Sequence, residues 1–265
     1  MFTPLPDNFH ALITGSSGAI GGAVAHQLRA GYPHARLTLV DFNPAPSEQL
    51  AGQLGGETHV LTADLSKLDN LPPLHERAVA QFGPVHLLVN CAGVMDVRSV
   101  ETTPWHSAER TMVIDLLAPM RLVNLCVPAM VQAGGGAIVN ISSMAGRVPL
   151  KGCGYYGAAK AGLAFTTEIA RAELAVKNIR VIGVYPGAIH SELERGARSQ
   201  YPEGMAARAM PSGQPQELAR RILHAIVRNQ GEVIYPDFYR IGTAFGGFGG
   251  LAQRIAVTYG PAARH

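Results

Sequence analysis

Charge is scarce in this chain: Asp, Glu, Lys and Arg make up 15% of its 265 residues, against roughly a quarter in an average globular domain. That scarcity favours a well-covered sheet and subunit contacts that bury further surface. Cysteine is rarer still. Cys91, Cys126 and Cys153 are the three present, widely spaced and without a CxxC or Cys/His pattern. This excludes a disulfide framework and gives no metal site, and it fits a reducing compartment. No Lys/Arg run is long enough for a nucleic-acid stripe, and the net charge is only +3. The first ten residues carry no basic segment followed by an apolar one, so no signal peptide is expected. No stretch of about 20 apolar residues is present, so no membrane span is expected. A cytoplasmic protein that does not bind nucleic acid is the expectation.

What is abundant is hydrophobic sequence, 47% of the chain, arranged in two alternating periods. Short apolar runs with strand character fall at 10–14, 37–40, 59–61, 85–90, 137–141, 181–185 and 232–235. Longer stretches with helical period fall between them, at 20–30, 74–82, 108–132, 156–177 and 215–229. Strand alternating with helix implies βαβ units, a parallel sheet and right-handed crossovers with helices on both faces. The runs are almost continuously apolar, as strands covered on both faces require. The pattern predicts an α/β, doubly wound sheet of about seven strands in a single domain, 1–265. Two regions break it. Residues 188–213 are polar and punctuated by Gly and Pro, as a loop over a substrate cleft would be. Residues 238–265 open with Gly, Phe and Ile and suit packing on the body or on another subunit.

Tyr156 and Lys160 stand four residues apart in a helical stretch, so they share a face. An ordinary phenol titrates at about 10 and is a poor proton carrier at neutral pH. A neighbouring ammonium favours the phenolate and is expected to lower that value. Tyr156 would then exchange a proton with an alcohol or ketone.

A glycine-rich turn joins the first strand to the first helix, with Gly15, Ser17, Gly18, Ala19, Ile20 and Gly21. Such a turn lets backbone approach a pyrophosphate, and the helix N-terminus adds free N–H groups and a positive dipole end. Asp41 ends the second strand, 20 residues after Gly21. A carboxylate there accepts from ribose hydroxyls and repels a 2′-phosphate. No Arg or Lys stands in 42–46 or in the turn. NAD is therefore expected, with NADP the less favoured cofactor. Asp64 and Leu65 follow the third strand, and Asn90, Ala92 and Gly93 follow the fourth, at strand ends where open α/β sheets bind ligands. Asp64 could bond the adenine amino group.

In order along the chain, segments 14–21, 64–65, 90–93, 138–146, 156–160 and 185–191 resemble the motifs of the short-chain dehydrogenase/reductase family, in its classical subgroup. The likeness covers about 10–236. It implies a Rossmann-type fold and hydride transfer between a secondary alcohol or ketone and the nicotinamide. By that resemblance Ser143, 13 residues before Tyr156, polarises the carbonyl and Tyr156 is the general acid/base. Lys160 lowers the tyrosine pKa and binds the ribose. Pro186, Gly187, Ile189 and Ser191 belong to the Pro-Gly segment, with the Ile189 backbone and the Ser191 hydroxyl on the carboxamide. The resemblance also implies a homo-oligomer, tetramer or dimer, built through the helices near 108–132 and 156–177.

Three positions depart from the family pattern. Ala19 replaces a usual glycine, which gives a Gly15-x-x-Gly18-x-x-Gly21 spacing like that of the extended, epimerase-containing subgroup. Cys91 stands where a second asparagine is common. Asp115 stands where the family has an asparagine that supports a water beside the lysine, and it adds a charge to that relay. Met95, Val97, Met144, Val148, Cys153, Ala188 and residues 192–212 are expected to shape a largely apolar pocket for a hydrophobic alcohol or ketone. The alternatives are a non-catalytic NAD-binding or redox-sensing protein and an epimerase-like enzyme.

Overall fold

The computed structural model describes residues 4–200 and 212–240. Seven parallel strands form one sheet: β1 (His10–Thr14), β2 (Arg36–Asp41), β3 (Thr58–Thr62), β4 (Leu87–Asn90), β5 (Gly136–Ile141), β6 (Ile179–Pro186) and β7 (Glu232–Tyr235). Their order is β3-β2-β1-β4-β5-β6-β7, the doubly wound arrangement of a Rossmann-type fold. The helices are α1 (Ala19–Gly31), α2 (Pro44–Leu54), α3 (Leu71–Phe82), α4 (Trp105–Met112), α5 (Ala118–Gln132), α6 (Gly154–Ala175), α7 (Glu192–Gln200) and α8 (Pro215–Arg228).

Alternation along each strand feeds two cores. Ile13, Leu37, Leu39, Val139 and Val184 face α1 and α8 in one cluster. Their neighbours Leu12, Val40, Leu88, Ile138 and Val181 face α3 and α5 in the other. α8 shows the helical counterpart: Leu218, Ile222, Ala225 and Ile226 are buried on one stripe. Asn229, at φ 52°, ends that helix in the left-handed conformation that asparagine tolerates. α2 opens with Pro44, and the Asn43 side chain accepts the Ala45 N–H at 3.3 Å.

The strand signals were strong enough to locate all seven strands to within a few residues. α2 was not expected, because Asn43-Pro44 reads as a turn. α7 occupies the first half of what reads as a polar loop. Residues 201–211 of the expected substrate loop and 241–265 of the C-terminal segment lie outside the described residues.

α4 and α5 form one helical run, Trp105–Gln132, joined by a π turn over Val113–Leu117. By length and composition this run is long and apolar enough to cross a membrane, and a third of its most apolar window is buried (33%). Its buried residues Ala118, Leu122, Cys126 and Met130 belong to the second core cluster. The order of strands reverses between β1 and β4, where Thr14 pairs with Asn90. The loops leaving those two strands therefore diverge, and the crevice between them is where the site lies.

Candidate active site

A cavity of about 930 Å³ runs across the carboxyl ends of the strands. One end is made of backbone and small residues: Gly15, Ser17, Gly18, Ala19, Ile20, Ala92 and Gly93 line it. Gly15 takes φ +64°, and a Cβ there would lie 2.7 Å from the Ala92 backbone. Only glycine lets these two loops meet so closely. Thr14 completes the junction by accepting the Cys91 and Ala92 N–H groups at 3.1 and 3.2 Å.

Asp41 stands on the cavity wall with both oxygens engaged. Oδ2 accepts the Ser17 N–H at 3.0 Å and its hydroxyl at 2.6 Å. Oδ1 accepts the N–H groups of Phe42 at 2.8 Å and Asn43 at 3.3 Å. Asp64 is fixed by the Ser66 hydroxyl at 2.6 Å, which holds its carboxyl below the usual range. Leu65 lines the cavity beside it.

At the other end Ser143, Tyr156 and Lys160 face the same space. Tyr156 and Lys160 come from the first two turns of α6, and Ser143 from the loop after β5. Ser143 stands close enough to the Tyr156 hydroxyl to pull its pKa down, and its Oγ accepts the Ala145 N–H at 3.1 Å. The Lys160 ammonium lies 5.8 Å from the Tyr156 ring centre and donates to the Ile141 carbonyl at 3.0 Å. Gly146 admits α6 at this point, since a Cβ there would lie 2.6 Å from the Lys160 backbone.

Asp115 forms a fully buried ion pair with Lys160, Oδ1 to Nζ 3.0 Å. It also accepts the Val94 N–H at 3.3 Å to each oxygen. Burial holds its carboxyl above the usual range, and Lys160 pulls it only part of the way back. Its hydrogen-bond partners all donate, so the ionised form is the one this pocket accommodates. Burial pulls the Lys160 ammonium down, but Asp115 and Tyr156 outweigh that and hold it above its ordinary value.

The electrostatics correct one expectation. Tyr156 lies above the ordinary phenol value: burial pushes it up, Lys160 pulls it down, and Asp115 offsets part of that pull. Sequence spacing revealed the lysine but neither the depth of burial nor the counter-ion.

A model of the short chain dehydrogenase family matches residues 9–202. The chain belongs to that family. A cyclohexanol dehydrogenase from Acinetobacter sp. (strain SE19) is 32% identical over 221 residues, 81% of this chain and 86% of that protein. A D-threitol dehydrogenase from Mycolicibacterium smegmatis is 31% identical over 216 residues, 79% of this chain and 82% of that one. A short-chain dehydrogenase from Sphingobium yanoikuyae, solved with NADPH, superposes with a TM-score of 0.77 at 29% identity, covering 92% of this chain and 94% of that one. Short-chain dehydrogenases are oxidoreductases that bind a nicotinamide cofactor, and the alcohol dehydrogenases among these relatives put this chain with enzymes acting on alcohols.

Against the expected site of a short-chain dehydrogenase, four positions need correction. Asn90 does not line the cavity. It is turned into the core, donating to Asn140 at 2.9 Å, because its place in the strand points it toward α5 and α6. Gly21 serves helix packing, since a Cβ there would stand 2.2 Å from the Gly15 carbonyl oxygen. Asp115 stands beside Lys160 as expected, behind it and off the cavity wall. Val97 and Cys153 also stand one layer back, in an apolar cluster with Tyr156 and Ala197. Pro186, Gly187, Ala188, Ile189 and Ser191 do line the cavity, as do Met95, Met144 and Val148. Ser191 is partly committed, its hydroxyl accepting the Glu194 N–H at 3.1 Å at the start of α7.

Sequence reasoning missed Arg110, Ile114, Leu150 and Tyr239, which also line the cavity. Tyr239 packs so tightly on Gly187 that a Cβ there would lie 1.9 Å from its ring. No local motif marks these residues, which arrive from separate elements.

Proposed function

We propose that this chain is an NAD-dependent dehydrogenase that interconverts an apolar secondary alcohol and its ketone, with Ser143, Tyr156 and Lys160 as its catalytic residues. The observation that carries this reading is that these three side chains share one cavity with a floor of bare backbone suited to a dinucleotide. No side chain caps α1, so its first N–H groups are open to a pyrophosphate beside Ala19 and Ile20. When bound, the cofactor supplies the hydride acceptor for oxidation and the donor for reduction.

The residues do the rest. Ser143 donates a hydrogen bond to the carbonyl oxygen, where negative charge grows during reduction. Tyr156 delivers its phenolic proton to that oxygen. Its raised pKa keeps the proton on at neutral pH, the form that reduction needs. In oxidation the phenolate takes the proton back. Lys160 holds the ribose and steadies the phenolate. The clamped Asp41 carboxylate supports NAD over NADP, because a 2′-phosphate would meet its charge, although the Sphingobium relative was solved with NADPH.

Substrate walls of Met144, Val148, Leu150, Ala188 and Ala197 support an apolar ring or chain over a polyol. The two named relatives divide on this point, one a cyclohexanol and one a threitol dehydrogenase. Exposed Leu117 and Met120 near the start of α5, with Phe165 and Ile169 on α6, support a homo-oligomer packed through these helices.

The test is a panel of cyclic and acyclic secondary alcohols, with polyols as contrast, assayed with NAD and NADP. Reduced cofactor is expected from apolar alcohols with NAD. Binding of NAD without turnover of any alcohol or ketone would refute the enzyme in favour of a non-catalytic NAD-binding protein.

A further inference from the structure

Among the described residues Asp115 is the one buried carboxylate of the site, and its surroundings are complete enough to assign it a task. It sits in the π turn with none of its side chain exposed. A methyl group on Gly93 would meet its Oδ1 at 2.6 Å, so the carboxylate lies directly behind the backbone that lines the cavity. The ionisable groups around it come from every neighbouring element. Lys160 and Tyr156 come from α6, Cys91 from the end of β4, and Arg110 from α4. Burial pushes the Cys91 thiol up to about 12, and Tyr156 is also held protonated, so both are neutral at pH 7. The charges left are the Lys160 ammonium and the Asp115 carboxylate, 3.0 Å apart, with the Arg110 guanidinium beyond ion-pair distance.

A nicotinamide ring is cationic when oxidised and neutral when reduced. A lone buried ammonium beside it would disfavour the oxidised form, since like charges in a desolvated site repel strongly. We propose that the Asp115 carboxylate sets the cofactor's oxidation-state preference: by cancelling the Lys160 charge it lets the chain hold the oxidised form more tightly, relative to the reduced form, than a neutral residue at 115 would. This rests on the nicotinamide-binding reading above. Asp115 acts through Lys160 and the local field and is a positioning residue. One unit charge acting over about 12 Å at an effective dielectric of about 20 changes the ratio of the two affinities by roughly tenfold.

The experiment measures Kd for NAD+ and NADH by calorimetry, without substrate, on the unaltered protein, Asp115→Asn and Asp115→Glu. The asparagine variant is expected to weaken NAD+ relative to NADH by roughly tenfold, and the glutamate variant, with its charge kept, to hold the original ratio. Should Asp115→Asn fail to fold, Asp115→Ser removes the same charge with a smaller side chain. An unchanged ratio in the neutral variant overturns the inference, and so does equal weakening of both forms, the mark of a purely structural role. If the unaltered protein binds neither form, the proposed function falls with it; if it binds both and only the ratio fails to move, the proposed function stands.

Discussion

The amino end of the sheet buries a histidine without charge, whereas the carboxyl end buries a lysine and an aspartate with theirs. His10 starts β1 and is fully enclosed. One ring nitrogen meets the Gly83 carbonyl at 2.8 Å and the other the Thr38 hydroxyl at 2.8 Å. Neutral imidazole satisfies both, donating to the carbonyl and accepting from the hydroxyl. Burial pulls its pKa down to about 4, with Arg36, His75 and His86 adding to the pull. Lys160, equally deep, keeps its proton because its ammonium donates to the Ile141 carbonyl at 3.0 Å and faces Asp115 at 3.0 Å. A buried titratable group serves architecture when it can discharge itself. It serves chemistry when the fold supplies a partner that keeps it charged beside a cavity.

The contrast can be broken most severely at the carboxyl end. Tyr156→Phe is expected to lower kcat by about 10²–10⁴-fold while leaving NAD affinity nearly unchanged. Steady-state rates and titration calorimetry check both halves, and substantial residual turnover would remove Tyr156 from its role. Lys160→Met strands Asp115 without its counter-charge and should destabilise the fold by about 3–5 kcal/mol. The double variant Lys160→Met/Asp115→Leu removes both charges and should recover much of that loss in urea unfolding. Equal instability in the two variants would show that the pair acts by shape alone.

At the amino end the effect is pH-dependent and smaller. The folded pKa of His10 lies below its unfolded value, at about 4 against 6.5. The unfolded chain therefore binds the extra proton between those values. Stability should be full above about pH 6.5, fall as pH drops toward 4, and decline no further from this group below that, by about 3 kcal/mol in all. Urea midpoints of the unaltered protein and His10→Asn across this window test it, and the variant should show the flatter profile. The smallest effect belongs to the solvent-facing pair Arg36–Glu57, 3.2 Å apart and half in water. Glu57→Gln should change stability by less than about 1 kcal/mol, and a larger loss would mean that the charges near His10 act as a network.

Most of the fold was legible in the sequence because strand and helix periods are local. The apolar run ending at Thr14, the glycine turn after it and Asp41 twenty residues beyond Gly21 announced the nucleotide end of the cavity. The pairing of Tyr156 with Lys160 was equally plain, since four residues on a helix is a fixed spacing. Asn90 was misplaced because a strand-end residue has two faces and the motif does not say which one meets the ligand. α2 was hidden by a capping asparagine and a proline that read equally well as a turn.

The sequence by itself determined the layered architecture, the order of the motifs and which residues could carry a proton or face a phosphate, because each of these depends on neighbours within a few turns of chain. Only the tertiary structure decided their electrostatic state. Whether Lys160 acidifies Tyr156 or is answered by Asp115 depends on how α6, the π turn and the end of β4 close around one another. Coulomb energy depends on separation and on how much water remains, and neither is written in chain order.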